Sequence, residues 1–134
     1  SLIFIQNPLY SFSIIDFKII SEANEAYDNQ EYENASSNFQ KLDSNEFRDY
    51  NLANSFYKSN EFEKAIELYK NIQTSSNDLE FKRLHNLGNA YAKNKNFNEA
   101  IDSYEKALKL KNDKKTKENL KLVKEILENK KENK

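Results

Sequence analysis

Glu46–Leu79 and Phe81–Lys114 are two copies of one unit. In the opening 27 residues nine aligned pairs are identical: Arg48/Arg83, Asn51/Asn86, Leu52/Leu87, Asn54/Asn89, Lys58/Lys93, Phe62/Phe97, Ala65/Ala100, Ile66/Ile101 and Tyr69/Tyr104. Every pair is 35 residues apart. A unit this short cannot bury its apolar side alone, so the copies must stack to make a core. A weaker third copy lies upstream. Asn24, Tyr27, Tyr32, Ala35 and Phe39 align with Asn54, Tyr57, Phe62, Ala65 and Tyr69 at an offset of 30, which places the shortening in the loop after the first copy.

Each copy reads as two helices with a short break. In the second copy Leu52, Ala53 and Phe56 lie on one stripe, and Phe62, Ala65, Ile66, Tyr69 and Ile72 on the next. Spacings of three and four mark amphipathic helices. The breaks fall near Asn29-Gln30, Ser59-Asn60 and Asn94-Lys95. Asn tolerates the left-handed conformation that ends a helix and can stand there for Gly. Small residues recur where paired helices should cross: Ala23, Ala53 and Gly88 on the first helices, Ala35, Ala65 and Ala100 on the second. Close backbone approach needs them, with neighbouring aromatics filling the flanking grooves.

The run Leu87-Gly88-Asn89-Ala90-Tyr91, then Phe97-Asn98-Glu99-Ala100-Ile101, then Tyr104-Glu105-Lys106-Ala107-Leu108 resembles a tetratricopeptide repeat (TPR) unit. The second copy matches with Ala53 for the Gly and Phe56 for the Tyr. The first carries Glu22-Ala23 in place of Leu-Gly, and Asn77 and Asn112 stand where the family's Pro usually ends a repeat. The resemblance covers about residues 16–128 and implies an all-α solenoid of three helix-turn-helix repeats, about 16–45, 46–80 and 81–113. An open stack needs a terminal helix with a polar outer side. Residues 114–129 supply one, with Leu120, Val123 and Leu127 as its apolar stripe and Leu122 and Ile126 widening it; a charged tail, 130–134, follows.

In such a stack the first helices line the concave side. The expected partner-binding groove comprises Asn24, Tyr27, Tyr50, Asn51, Asn54, Tyr57, Lys58, Lys82, His85, Asn89 and Lys93. Its most suggestive feature is the column Asn24, Asn54, Asn89. An Asn amide both donates and accepts, so it can grip a peptide backbone whatever the side chains; the alternative is that these residues cap or bridge helices. TPR grooves often use Asn there, so the resemblance implies a scaffold that binds a protein or peptide segment. Some family members hold a C-terminal carboxylate with a Lys/Asn/Arg clamp. Asn24, Asn51 and Lys82 fall at matching places, but Ile20 and Asn86 replace two cations, which argues against a clamp. Tyr27, Tyr50 and Tyr57 favour an apolar or aromatic segment, since rings supply contact area at low entropic cost.

Other functions find little support. His85, the one His, has no cluster of Cys or carboxylates around it in sequence and reads as a groove or surface residue, not a metal ligand or catalytic base. Gly88 is the one Gly, so no phosphate-cradling loop exists, and the expectation is no enzyme and no cofactor. Absence of Cys excludes disulfides. The net charge of -1 gives no general pull toward nucleic acid, although residues 111–134 hold nine Lys against five acids.

The N-terminus is apolar: Leu2, Ile3, Phe4, Ile5, Leu9, Tyr10, Phe12, Ile14, Ile15, Phe17, Ile19 and Ile20, interrupted by Pro8. The run before Pro8 is too short to span a bilayer. Residues 1–15 read as an arm covering the first repeat, or as the end of a signal or membrane segment. The chain has no Met, so Ser1 is expected to follow processing or excision from a longer chain. A short first repeat, two strong ones and a charged Leu-rich helix are similar in layout to the TPR region of bacterial aerotolerance-operon proteins, some of which carry a von Willebrand A-type domain. That similarity implies membrane anchoring upstream of Ser1 and a periplasmic position. A rival expectation is self-assembly, with residues 1–20 docking on a neighbouring copy.

Overall fold

The computed structural model describes residues 14–134. They form seven helices: α1 (Ile14–Asp28), α2 (Tyr32–Phe39), α3 (Glu46–Lys58), α4 (Phe62–Asn71), α5 (Asn77–Lys93), α6 (Phe97–Leu110) and α7 (Lys114–Glu132). No strand occurs among the described residues. Each helix packs on the next, and α3 with α5 and α5 with α7 also touch, as first helices do along one side of a superhelical stack. The expected N-terminal arm lies, apart from its last two residues, outside the described residues.

The small residues lie at the helix crossings. Ala23, Ala35, Ala53, Ala65, Ala90 and Ala100 have no exposed surface. At Gly88 a Cβ would come within 2.6 Å of the Tyr104 ring, so α5 and α6 approach more closely than a methyl permits. The core is continuous through the first two repeats and into α5, where Leu87 and Ala90 join it; Ala100, Tyr104 and Val123 form a second cluster that α7 closes.

All three repeats turn from first helix to second in the same way. Gln30, Asn60 and Lys95 have φ of 63, 64 and 64°. The amide after each reaches back five residues, Glu31 to Ala26 O, Glu61 to Phe56 O and Asn96 to Tyr91 O, at 2.8, 2.8 and 2.9 Å. This is the Schellman ending of a helix. Asn occupies the left-handed position only once; Gln30 and Lys95 accept the strain elsewhere. A left-handed L-residue costs about 1–2 kcal/mol, part of which glycine gives back as lost unfolded-state freedom. Lys95→Gly is therefore expected to raise stability by about 0.5–1 kcal/mol, read from a shift of the urea midpoint.

The spacing between the first two copies is shorter for a different reason from the one expected. The segment after α2 is not contracted; instead α2 has 8 residues against 10 in α4, and α3 has 13 against 17 in α5. The helices lost the residues, because the linking segments must still carry the caps. Asn45 accepts from the amides of Phe47 and Arg48, Ser76 from Leu79 and Asp113 from Thr116, which satisfies first-turn N–H groups. The repeated Arg is likewise structural: Arg48 Nη1 donates to Leu42 O at 3.3 Å and Arg83 Nη1 to Tyr69 O at 2.9 Å, tying each first helix to the chain before it.

Candidate functional site

A groove of about 700 Å³ runs along the first helices. Eight of the eleven residues expected there line it: Tyr27, Tyr50, Asn54, Tyr57, Lys58, His85, Asn89 and Lys93. Asn24, Asn51 and Lys82 do not. Lys82 Nζ instead pairs with Asp78 at 2.8 Å, one turn earlier on α5. The backbone carbonyl of Asn51 accepts from Ser55 Oγ at 3.0 Å. The three residues at clamp-like positions are thus all outside the cavity.

The Asn column divides in two. Tyr104 Oη donates to Asn89 Oδ1 at 2.6 Å, and Asn119 Nδ2 donates to the same oxygen at 3.0 Å. One repeat earlier Tyr69 Oη donates to Asn54 Oδ1, with Asn86 Nδ2 also donating to it at 3.1 Å. The unit is one Tyr from the second helix and one Asn from the following first helix, both meeting the oxygen of the column Asn. Burial holds the Tyr69 and Tyr104 phenols well above their ordinary pKa, so each remains a donor. In the first repeat Phe39 replaces the Tyr and has no hydroxyl, and Asn24 is exposed. Helix bridging is therefore real for Asn54 and Asn89 and consumes their oxygens. Their Nδ2 groups make no hydrogen bond among the described residues, and no fully buried side-chain nitrogen lacks a partner, so neither amide nitrogen is fully buried.

Several lining residues were not among those expected: Tyr69, Asn86, Phe97, Tyr104, Lys115, Asn119, Leu122, Val123 and Ile126. Asn86, expected only as the absence of a clamp cation, donates to Tyr50 Oη at 3.0 Å as well as to Asn54. The larger omission is α7. Expected as a cap, it also forms the groove's far wall: Val123 packs into the core while Leu122 and Ile126 face the cavity. The sequence signal was present, since Asn119 follows Asn86 by nearly one repeat and acts on Asn89 as Asn86 acts on Asn54.

His85 is half-buried and held from α7. Thr116 Oγ1 donates its one hydrogen to Asp113 Oδ2 at 2.8 Å, so the 2.7 Å contact between His85 Nδ1 and Thr116 Oγ1 requires an N–H on Nδ1. The neutral ring then carries its lone pair on Nε2. Burial lowers the pKa of His85 below 6.5; Asp113 opposes this shift and Lys115 adds to it. With the folded pKa below the unfolded one, the unfolded chain binds the proton first as pH falls. Stability from this residue is complete above pH 6.5 and is lost as pH drops through the folded pKa. Thermal melts between pH 7.5 and 5 should fall with acidification, and His85→Gln should flatten that slope, about the neutral-to-mildly-acid window before carboxylates titrate.

A second hollow, of about 740 Å³, lies between α5 and α6. Four of the seven charges that line it are matched, Arg83 with Glu80 and Lys106 with Asp102. No group of His, Cys, Asp and Glu suited to a metal ion occurs among the described residues.

Tetratricopeptide repeat models match residues 50–81 and 81–113. No curated protein matches the sequence. Three solved structures are similar. The TPR2AB domain of yeast Sti1, in complex with pHSP90, has a TM-score of 0.74 and 20% identity over 86% of this chain and 48% of that one. This chain therefore spans about half the length of that structure. The Sgt2 TPR domain from Aspergillus fumigatus has a TM-score of 0.72 and 22% identity, covering 90% and 83%. The N-terminal domain of STI-1 from C. elegans has a TM-score of 0.67 and 19% identity, covering 81% and 93%. These likenesses establish the fold, and the repeat matches coincide with the two copies whose Schellman turns and Tyr–Asn bridges are described above. Residues 50–113 belong to the tetratricopeptide repeat family.

Proposed function

We propose that the protein is a protein–protein interaction module whose concave groove takes up an extended segment of a partner. One observation carries this reading. Asn54 and Asn89 present free Nδ2 groups at equivalent positions of consecutive repeats, each fixed in place because its oxygen is held by a buried Tyr and the next Asn. A row of preorganised amide donors suits backbone carbonyls of an extended chain and loses little freedom on binding. Half-buried Tyr27 and Tyr57 flank the row.

The test replaces Tyr57 with a photo-crosslinking residue and, separately, places one at Lys106 between α5 and α6. A defined adduct is expected only from the groove position. It should be lost in the Asn54→Asp/Asn89→Asp variant, which keeps the oxygens that Tyr69 and Tyr104 need while removing the donors. Adducts that are equal from both positions, or unchanged by the double substitution in a protein that melts normally, would remove the groove from the account.

A second reading rests on the start of α1, where Ile14 is 88% and Ile15 68% exposed. These residues favour contact with a neighbouring copy through the N-terminal region. Solution mass with and without residues 1–15 decides it, and a monomer in both cases rules it out. No helix among the described residues is long and apolar enough to cross a membrane, so the membrane-anchored, periplasmic placement is a proposal resting on residues 1–20 and on sequence upstream of Ser1.

A further inference from the structure

Building on the groove reading, we propose that the segment received is acidic and that Lys58, Lys93 and Lys115 hold it. Every full charge lining the groove is one of these three lysines; no Asp or Glu lines it, although the chain has 22 acidic residues. None of the three forms an ion pair among the described residues. Elsewhere Lys64, Lys82, Lys106 and Lys124 each meet a carboxylate within 3.0 Å. The groove cations are thus uncompensated, and what sets them apart from other unpaired lysines is that they share one cavity with no carboxylate in its lining.

Lys58 and Lys93 have a simpler explanation available. Each stands in the last turn of its helix, where the dipole favours a cation. Lys115 has no such explanation. It lies in the first turn of α7, which contains no acid, and there the dipole disfavours it. Local helix stability would prefer Asp or Glu at this position, as at Lys114 and Lys117 in the same turn; of the three lysines only Lys115 lines the groove. The unbonded amides of Asn54 and Asn89 are likewise donors and add to a surface suited to anions. Phe97, Leu122 and Ile126 give the α7 end an apolar wall, so the segment that fits carries an apolar residue among its acids. Asn24, Asn51 and Lys82 lie off the groove, so this site needs no terminal carboxylate.

The probe is an extended peptide of Glu, Asp, Leu and Phe with both ends blocked, compared with its Gln/Asn counterpart by titration calorimetry or fluorescence anisotropy. The acidic peptide should bind at least about tenfold more tightly, and its affinity should fall as salt rises from about 50 to about 300 mM. Lys58→Gln, Lys93→Gln and Lys115→Gln together should erase the difference, whereas Lys106→Gln should not. Lys115→Glu separates binding from folding: it should melt higher, because the dipole now favours the residue, yet bind the acidic peptide more weakly. Equal affinity for both peptides, a flat salt response or an unaffected triple variant overturns the acidic assignment. Binding of the neutral peptide that Tyr57→Ala abolishes would do so while leaving the groove reading standing. Failure of both peptides to bind also overturns it, and the cross-linking experiment then decides the groove reading independently.

Discussion

Tyr69→Ala is expected to destabilise the protein by about 3–5 kcal/mol, the range for deleting a large buried aromatic side chain. Tyr69 is 1% exposed and belongs to the cluster that joins the first two repeats to α5. A domain of this size has about 5–15 kcal/mol in total, so the variant should be partly unfolded at 37 °C. Tyr69→Phe separates ring from hydroxyl. It leaves Asn54 Oδ1 still bonded to Asn86, so the expected loss is about 1 kcal/mol. The first repeat already carries a buried Phe39 at the matching position. Urea denaturation of the two variants reads both values, and equal losses would place the stabilisation in the hydroxyl and contradict the packing account. The same geometry makes Asn54→Ala and Asn89→Ala poor probes of binding, because each would strand a buried Tyr hydroxyl as well as remove a donor.

Ala65→Leu and Ala100→Leu should each cost about 1–3 kcal/mol or more through overpacking. Both alanines have no exposed surface and stand at the same place on successive second helices. The crossing beside Ala100 has little room to relax: Gly88 and the Tyr104 ring already leave no space for a methyl, and Tyr104 is anchored to Asn89. Ala100→Leu is therefore expected to be the more damaging of the pair. Ala→Ser at either position adds one atom and serves as the mild control. Retention of the parental denaturation midpoint by both Leu variants would mean that the helices cross elsewhere.

Much of the fold was legible because its causes are local and repeated. The stripe Phe62, Ala65, Ile66, Tyr69 forces one helix face inward wherever it occurs, and it recurs as Phe97, Ala100, Ile101, Tyr104. Two details were less legible. The left-handed turn residue is defined by the Schellman geometry rather than by residue type, which is why Lys95 and Gln30 serve beside Asn60. The shortening between the first two copies fell in α2 and α3, since an alignment offset counts missing residues without saying which element gave them up.

The groove was legible in part for a related reason. Spacing along one helix names the residues on a face, and eight of the eleven expected positions do line the cavity. It does not say what a neighbouring helix does to them. The sequence by itself determined a TPR stack, its small-residue crossings and its closing helix, because periodic burial and repeat-to-repeat identity are properties of the chain alone. The tertiary structure decided that Asn54 and Asn89 give their oxygens to Tyr69 and Tyr104 and keep only their amides for the groove. It also decided that His85 is held by Thr116, and that α7 adds Lys115 to the cavity that Lys58 and Lys93 line. These bonds join residues 15 to 32 positions apart, so they depend on the angle and depth at which helices pack rather than on any pattern within one helix.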